Sequence, residues 1–217
     1  MSKKLFALLF VMLMLCGAAL ADGITVTDMH GREIALDQPA TRIVALTPSD
    51  CEDALVGRGK YCDYPESISA LPVVQSGAET NIEEILALDP QVVLMSDMSQ
   101  TEEQAKLLEQ NGVKGVISDA KDNAGVYTAI RMIGALMAKD DAAEALIGDM
   151  QATFDEIAAK SEKSGKTIYF EVSPLQWGLW TAGSGTFMDE LATMCGVTNA
   201  FADISGWQSI SEEQVIE

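Results

Sequence analysis

The stretch DDAAEALIGDMQATFDEIAAKSEKSG, residues 140–165, carries the pattern that decides the fold of this chain. Its apolar residues recur at spacings of three and four, as they do on a helix that buries one stripe: Ala143, Leu146, Met150, Phe154 and Ile157. At 3.6 residues per turn, the pattern predicts a helix of about six turns. Such a helix is long for one globular domain, so the segments on either side of it determine the architecture.

Before this helix, short β-branched segments alternate with helical patterns. The strand-like segments are RIVAL (42–46), QVVLM (91–95) and GVISD (115–119), and the helical ones are NIEEILAL (81–88) and TEEQAKLLEQNG (101–112). This alternation predicts a parallel α/β sheet. Ligands of such sheets gather at the carboxyl ends of the strands, where Thr47-Pro48-Ser49 and Ser96-Asp97-Met98 lie.

A second α/β pattern follows the long helix. TIYFEVS (167–173) is typical of a strand, TFMDELATMCGV (186–197) of a helix, and SISEEQVIE (209–217) opens another helix. The predicted fold class is therefore α/β: two parallel-sheet α/β lobes joined by one long backbone helix, with the second lobe incomplete. The predicted boundaries are a signal peptide at 1–21, a first lobe at 22–138, a connecting helix at 139–164 and a partial second lobe at 165–217.

A secretory signal is indicated at the N-terminus by a charged pair, an apolar run and a small-residue cleavage motif: Lys3-Lys4, residues 5–15 and Ala19-Leu20-Ala21. We expect the mature protein to start near Asp22 and to lie outside the cytoplasm. Lipid attachment at Cys16 is a second route, ranked lower because Leu15 is bulky for the residue before a lipidated cysteine.

The charge balance limits the kinds of partner that the chain is expected to bind. The chain has 33 acidic and 14 basic residues, a net charge of −19 at pH 7, which argues against nucleic acid and anionic membrane surfaces. Membrane contact is then expected only through a partner protein or a lipid on Cys16. The remaining cysteines, Cys51, Cys62 and Cys195, leave open either one disulfide with a free thiol or three free thiols.

Catalytic and metal motifs are sparse. His30 is the only histidine, so a His-rich zinc or manganese site is not available, and histidine-based nucleophilic catalysis would depend on this one residue. It lies in TDMHGREIAL (27–36), whose alternation and His-Gly step predict a small hairpin with a surface histidine in its turn. We predict no catalytic residue, metal site or cofactor. An enzyme on the same architecture and a ligand-sensing or adhesion module without transport remain the alternatives.

Five segments, in this order, carry a resemblance that spans nearly all of the mature chain: RIVALTPS, VGRGKYCDYP, ETNIEEILALDPQVVLMSD, GTFMDELATMCGVTNAF and GWQSISEEQVIE. The chain resembles the helix-hinged class of ABC-importer substrate-binding proteins, in the ferric siderophore, haem and vitamin B12 branch. The resemblance implies a small chelate or tetrapyrrole ligand, and an ABC permease with its ATPase as partners.

Two departures from this family stand out. After PSDCE, about two turns of a helix are missing, so we expect part of a sheet face to be exposed. The family also continues for several strands and helices beyond Glu217, so we expect a chain less stable than its complete relatives.

The resemblance also implies a cleft between the lobes that is lined by aromatic side chains. The residues that match are two tyrosines of the first lobe, three tryptophans on second-lobe loops and a neighbouring arginine suited to an anionic ligand: Tyr61, Tyr64, Trp177, Trp180, Trp207 and Arg58. The alternative is that these aromatic residues fill the core.

Two helix starts form a second matching pair. Asn81 with Glu84, and Ser211 with Gln214, have the spacing of capping boxes. Glu83 lies within the first of these segments, and Glu213 lies within the second. Their carboxylates favour the positive end of a helix in any case. The resemblance adds that one glutamate per lobe docks onto arginines of the permease.

Overall fold

The computed structural model describes residues 23–46, 52–75, 80–97, 102–173 and 175–216. The signal at 1–21 with Cys16, the turn Thr47-Pro48-Ser49 and Cys51 lie outside the described residues. Up to Leu136 the elements are β1 (Ile24–Thr27), β2 (Glu33–Leu36), β3 (Ile43–Ala45), β4 (Leu55–Gly59), β5 (Val73–Val74), α1 (Ile82–Leu86), β6 (Val92–Ser96), α2 (Glu102–Gln110), β7 (Lys114–Ser118) and α3 (Asn123–Leu136).

Strands β3 to β7 form one parallel sheet in the order β5-β4-β3-β6-β7. The predicted parallel α/β lobe is confirmed, and its three predicted strands are β3, β6 and β7. Strands β4 and β5 were not predicted. The predicted hairpin is also present, with β1 pairing antiparallel to β2 and Gly31 at a φ of 76° in its turn.

Both faces of this sheet are covered. On one face Val44 and Val93 pack with Ile85 of α1 and Leu108 of α2. On the other face the hairpin and α3 supply the cover, through residues that form one buried cluster with the sheet: Ile34 and Leu136 with Ile43, Leu94 and Val116. A parallel sheet buried on both sides explains why its strands have continuous rather than alternating apolar residues.

The connection from β3 to β4 is short, as the missing helix predicts. Residues 46–54 span it, and its described part includes a 3₁₀ turn at Glu52–Ala54, whereas parallel strands usually need a crossover of about a dozen residues or more. The expected exposure of the sheet face is nevertheless wrong for the described residues, because Ile43, Leu94 and Val116 are all buried. The 3₁₀ turn contributes Ala54 to the buried cluster that also contains residues of the hairpin and α3, so this turn helps to cover that face of the sheet.

The long helix is confirmed as α4 (Asp140–Lys160), a helix of 21 residues. It follows α3 after a break at Ala138, which has a φ of 53°. The two helices cross closely, since a Cβ placed on Gly134 of α3 would lie 2.6 Å from the Cβ of Ala143. In the predicted stripe Ala143 is buried, but Ile157 is exposed. Within the described ranges, no helix is both long and apolar enough to cross a bilayer.

Beyond α4 lie β8 (Thr167–Ile168), β9 (Leu179–Ala182), α5 (Phe187–Met194), β10 (Thr198–Asn199), β11 (Trp207–Ile210) and α6 (Glu212–Ile216). Strand β8 pairs parallel with β10, and β9 pairs antiparallel with β11. Of the predicted strand TIYFEVS, only Thr167 and Ile168 lie in a strand. The buried centre of this second part is small and consists of Leu179, Phe201 and Ile210.

Candidate functional site

The tyrosine loop leaves the carboxyl end of β4 and leads to a 3₁₀ helix at Glu66–Ala70. Tyr61 and Tyr64 are 81% and 79% exposed, whereas Cys62 between them is buried and a free thiol. The buried cysteine anchors the loop while both phenol rings point to solvent. The two tyrosines therefore do not cover a core edge.

Arg58 supports this loop from behind. Its Nη1 donates to the carbonyl oxygen of Cys62 at 3.1 Å, and its Nη2 donates to that of Ser69 at 3.2 Å. The guanidinium predicted to contact a ligand is thus engaged by the backbone of its own loop. The neighbouring Lys60 is exposed, and its ammonium lies 5.5 Å from the ring centroid of Tyr61, a cation–π distance.

The three tryptophans were expected on loops, and this expectation is wrong. Trp180 lies within β9, Trp207 begins β11, and Trp177 ends a 3₁₀ helix that starts at Leu175. The turn-forming residues around the tryptophans favoured a loop prediction. The two short strands form because they pair with each other, and their local sequences do not predict them. Despite their place on regular elements, none of the three indoles is buried.

Strand pairing places two of the indoles on one face. In the β9–β11 ladder Trp180 is opposite Ser209, and Trp207 is opposite Ala182, so both side chains project from the same side of the ribbon. The other side carries Leu179 opposite Ile210, which form the core of the second lobe. Trp180 and Trp207, 43% and 37% exposed, therefore face away from that core.

Phe187 joins this aromatic face, a position that was not predicted from the sequence. Its ring centroid lies 5.8 Å from that of Trp207 with the planes tilted by 53°, and the side chain is exposed. It was read as part of the apolar pattern of a helix. The available signal was its position directly after Thr186, the N-cap of α5, because the first helical residue is free to point outward.

The two lobes meet beside Phe187. Its backbone N–H donates to the carbonyl oxygen of Lys121 at 3.0 Å, and the backbone N–H of Asn123 donates to Oε2 of Glu190 in α5 at 2.9 Å. Lys121 and Asn123 belong to the segment that leaves β7 and enters α3. Because β4 and β7 are parallel strands of one sheet, the tyrosine loop and this junction lie at the same edge of it.

The two predicted capping boxes differ. Ser211 and Gln214 form a complete one, with each side chain accepting the other's backbone N–H, at 3.3 and 2.9 Å. At Asn81 only half is present: its side chain accepts from the N–H of Glu84 at 3.2 Å, but the carboxylate of Glu84 accepts from Gln75 instead.

Glu83 and Glu213 are both exposed. The pKa of Glu213 is lowered by hydrogen bonds from its own backbone N–H and from the hydroxyl of Ser211. Its carboxylate is therefore favoured in the charged form. The structure leaves both glutamates available at the surface of their lobes.

His30 lies in the predicted hairpin turn, but its ring is largely enclosed rather than at a free surface. The side chain is 21% exposed and lies between the carboxylates of Asp97 and Glu102. Its neighbours differ from those of the aromatic face and are treated separately below.

Comparison with known proteins decides the family. The model of a family described as "Periplasmic binding protein" matches residues 34–217. The chain belongs to the periplasmic binding protein family. This binding protein is 28% identical over 209 residues to the uncharacterised ABC transporter substrate-binding lipoprotein YvrC of Bacillus subtilis (strain 168), with 89% of the chain and 66% of the relative covered.

Two further relatives point the same way. The binding protein is 30% identical to the vitamin B12-binding protein of Salmonella typhi, covering 82% of the chain and 69% of that relative. Its structure resembles that of a possible iron-binding (periplasmic solute-binding) protein of Staphylococcus epidermidis ATCC 12228, with a TM-score of 0.72, 26% identity, and 82% and 74% of the two chains covered. The chain spans about two thirds of the length of the curated relatives it matches.

Proposed function

We propose that this chain is the extracytoplasmic solute-binding protein of an ABC importer. In this proposal it captures an iron-siderophore, haem or cobalamin-type ligand between its lobes and delivers it to a permease that works with an ATPase. Family membership and the relatives named above support transport over enzymatic catalysis.

The observation that carries the proposal is the exposed aromatic surface at the junction of the lobes. Trp207 and Phe187 lie where α5 meets the segment after β7, and Trp180 shares their face. Tyr61 and Tyr64 extend from the same edge of the first-lobe sheet. Exposing aromatic rings to water costs free energy, and a flat apolar ligand that stacks on the rings removes this cost.

The role proposed for Arg58 changes with its contacts. By holding the carbonyl oxygens of Cys62 and Ser69 it fixes the loop that presents the tyrosines, so it supports binding without touching the ligand. Lys60 takes its place as the cation beside Tyr61. An anionic ferric catecholate would be attracted by that ammonium, whereas a corrinoid or haem would depend more on the rings.

Calorimetric titration of the purified protein with cyanocobalamin, haemin and a ferric catecholate tests the proposal. We expect one of the three to bind at one equivalent per chain. A Lys60→Gln variant separates the ligand classes, because it should weaken an anionic catecholate and leave a corrinoid unchanged. Absence of binding by all three would contradict the proposed ligand class.

Export is part of the same proposal. Intact-mass measurement of the secreted protein should give a chain that starts at Asp22. A diacylglycerol adduct at Cys16 would establish the lipid-anchored route instead, and an uncleaved cytoplasmic chain would contradict both.

A further inference from the structure

The hairpin turn brings the only histidine of the chain to the carboxyl ends of β6 and β7. Nε2 of His30 lies 3.3 Å from Oδ1 of Asp97, and Nδ1 lies 3.4 Å from Oε1 of Glu102. Asp119, the first residue after β7, supplies another carboxylate. One ligand atom from each of His30, Asp97 and Asp119 lies within 4.8 Å of the other two.

Hydrogen bonds to the backbone hold His30 in this place. Oδ1 of the buried Asp28 accepts the backbone N–H of His30 at 3.0 Å, and Oδ2 accepts that of Ile117 at 3.2 Å. The N–H of Met29 donates to the carbonyl oxygen of Ile117 at 3.1 Å. The turn is thereby fixed to the last residues of β7, directly before Asp119.

The imidazole lies between two acceptors. If Nδ1–H donates to Glu102, the lone pair of a neutral Nε2 faces the oxygen of Asp97 at 3.3 Å, so either a second proton or a metal cation between these two atoms would make the contact favourable. A distance of about 3.3 Å is also the edge of a tetrahedron whose centre is about 2.0–2.1 Å from its corners, the usual zinc–nitrogen and zinc–oxygen distances.

A cation is already drawn to the same carboxylates. The ammonium of Lys121 lies 2.9 Å from Oδ2 of Asp119. The side chain of Lys121 is exposed, so it can withdraw into solvent when a better-coordinated cation enters.

We propose that His30, Asp97 and Asp119 form a site for a divalent transition-metal cation, with Zn²⁺ as its probe. One imidazole and two carboxylates are ligands that Zn²⁺ accepts, and three protein ligands leave a fourth position for water. Glu102 holds the ring from its other nitrogen, the arrangement in which a carboxylate fixes the tautomer of a metal-binding histidine. The sequence predicted no metal site, because a chain with one histidine cannot form a site built from several histidines.

Such a cation would connect three segments that are distant in sequence: the hairpin, the end of β6 and the end of β7. It would also release Lys121, whose carbonyl oxygen accepts the N–H of Phe187 at the junction of the lobes. The residues of the site differ from those of the aromatic face, so Zn²⁺ binding can be measured without the transported ligand.

Calorimetric titration with ZnCl₂ tests the site in chelator-treated, tag-free protein in which Cys51 and Cys195 are serine, since thiolates would bind zinc themselves. We expect one equivalent of Zn²⁺. Glu102→Gln should weaken its affinity by about 10- to 100-fold, and His30→Ala should weaken it at least as much. Lys121→Gln should bind Zn²⁺ more tightly, because it removes the competing cation and keeps every ligand.

Asp155→Asn, which removes an exposed carboxylate of α4, is the matched control and should bind like the parent. The proposal is overturned if the parent takes up no Zn²⁺. It is also overturned if His30→Ala and Asp97→Asn bind as tightly as the parent. Should His30→Ala fail to fold, the opposite shifts expected for Lys121→Gln and Asp97→Asn still decide the outcome.

Discussion

Asp28 is the residue on which the hairpin most depends. Its carboxylate is buried and receives Nη2 and Nε of Arg32 at 2.7 and 3.0 Å, in addition to the backbone N–H groups of His30 and Ile117. Burial by itself would raise its pKa, but the hydrogen bonds from Arg32 and Ile117 outweigh burial and lower the pKa below the usual 3.8.

The sign of the resulting pH dependence follows from this lowered pKa. The charged carboxylate stabilises the folded chain above the ordinary pKa, and that contribution is lost as pH falls through the lower native pKa. Asp28→Asn should reduce the free energy of unfolding by about 3–5 kcal/mol at pH 7, because it leaves Arg32 without its buried partner. Urea unfolding at pH 7 and in acid measures both effects.

The exposed Asp37 provides the control for this experiment. Asp37→Asn should leave the unfolding midpoint within experimental error of the parent. If Asp28→Asn unfolds at the parental urea concentration and with the parental pH profile, Asp28 does not hold the hairpin.

The aromatic residues permit a second prediction at this scale. Replacing Tyr61, Tyr64 or Trp180 with alanine should weaken binding of the transported ligand by roughly 1–3 kcal/mol each, the usual cost of losing an aromatic anchor. Trp180→Phe keeps a ring in place and is the control. Unchanged affinity in all three alanine variants, with circular dichroism of a folded protein, would contradict the proposed site.

At the scale of elements, the crossing of α3 and α4 is tight. A Cβ on Gly134 would come within 2.6 Å of the Cβ of Ala143 and 3.3 Å of the carbonyl oxygen of Lys139. Gly134→Ala should therefore destabilise the protein by about 1–3 kcal/mol through overpacking, which exceeds the roughly 1 kcal/mol that alanine gains over glycine in a helix. Thermal and urea unfolding measure the change.

Gly148 of α4 is the matched control, because nothing lies within 4 Å of a Cβ placed there. Gly148→Ala should stabilise the chain by about 0.5–1 kcal/mol. Stabilisation by both substitutions would show that the two helices adjust freely at their crossing.

Elements with a local signal could be predicted from the sequence, and elements specified by distant partners could not. The apolar stripe of α4 and the β-branched residues of strands β3, β6 and β7 can be recognised from the local sequence. Strand β4 contains Gly57 and Gly59, which weaken any strand pattern. The reason for Gly57 is tertiary: a Cβ there would collide with Cδ1 of Leu88, which is distant in sequence.

The same distinction applies to the candidate site. Tyr61 and Tyr64 follow a turn signal, so their place on a loop could be predicted. The face shared by Trp180 and Trp207 follows from the register of β9 and β11, which the local sequence does not reveal. The contacts of Arg58 could not be predicted, because the carbonyl oxygens that engage it belong to a loop whose path the sequence does not reveal.

At the scale of the whole molecule, Glu83 and Glu213 carry the prediction about the permease. If both dock, Glu83→Lys and Glu213→Lys together should leave ligand affinity unchanged, because both side chains lie at exposed helix starts. Uptake by cells should fall by about tenfold or more, since like charges would then face the permease arginines. The double variant should be worse than either single one, because both lobes must engage at once.

Glu212→Lys controls for the change in net charge alone, because it reverses the charge of the neighbouring residue on the same helix. It should support nearly normal uptake. Normal uptake by the double variant, at normal ligand affinity, would leave Glu83 and Glu213 with no role beyond helix-end electrostatics.

The distribution of the indoles has a consequence for how unfolding of this protein is observed. All three tryptophans of the chain lie between residues 177 and 207, so intrinsic emission excited at the indole band reports the second lobe and is silent about the first. Far-ultraviolet circular dichroism, in contrast, averages over both. If the two transitions coincide in denaturant, the lobes unfold as one cooperative unit; if the emission changes first, the lobe with the smaller core melts independently while the five-stranded sheet remains.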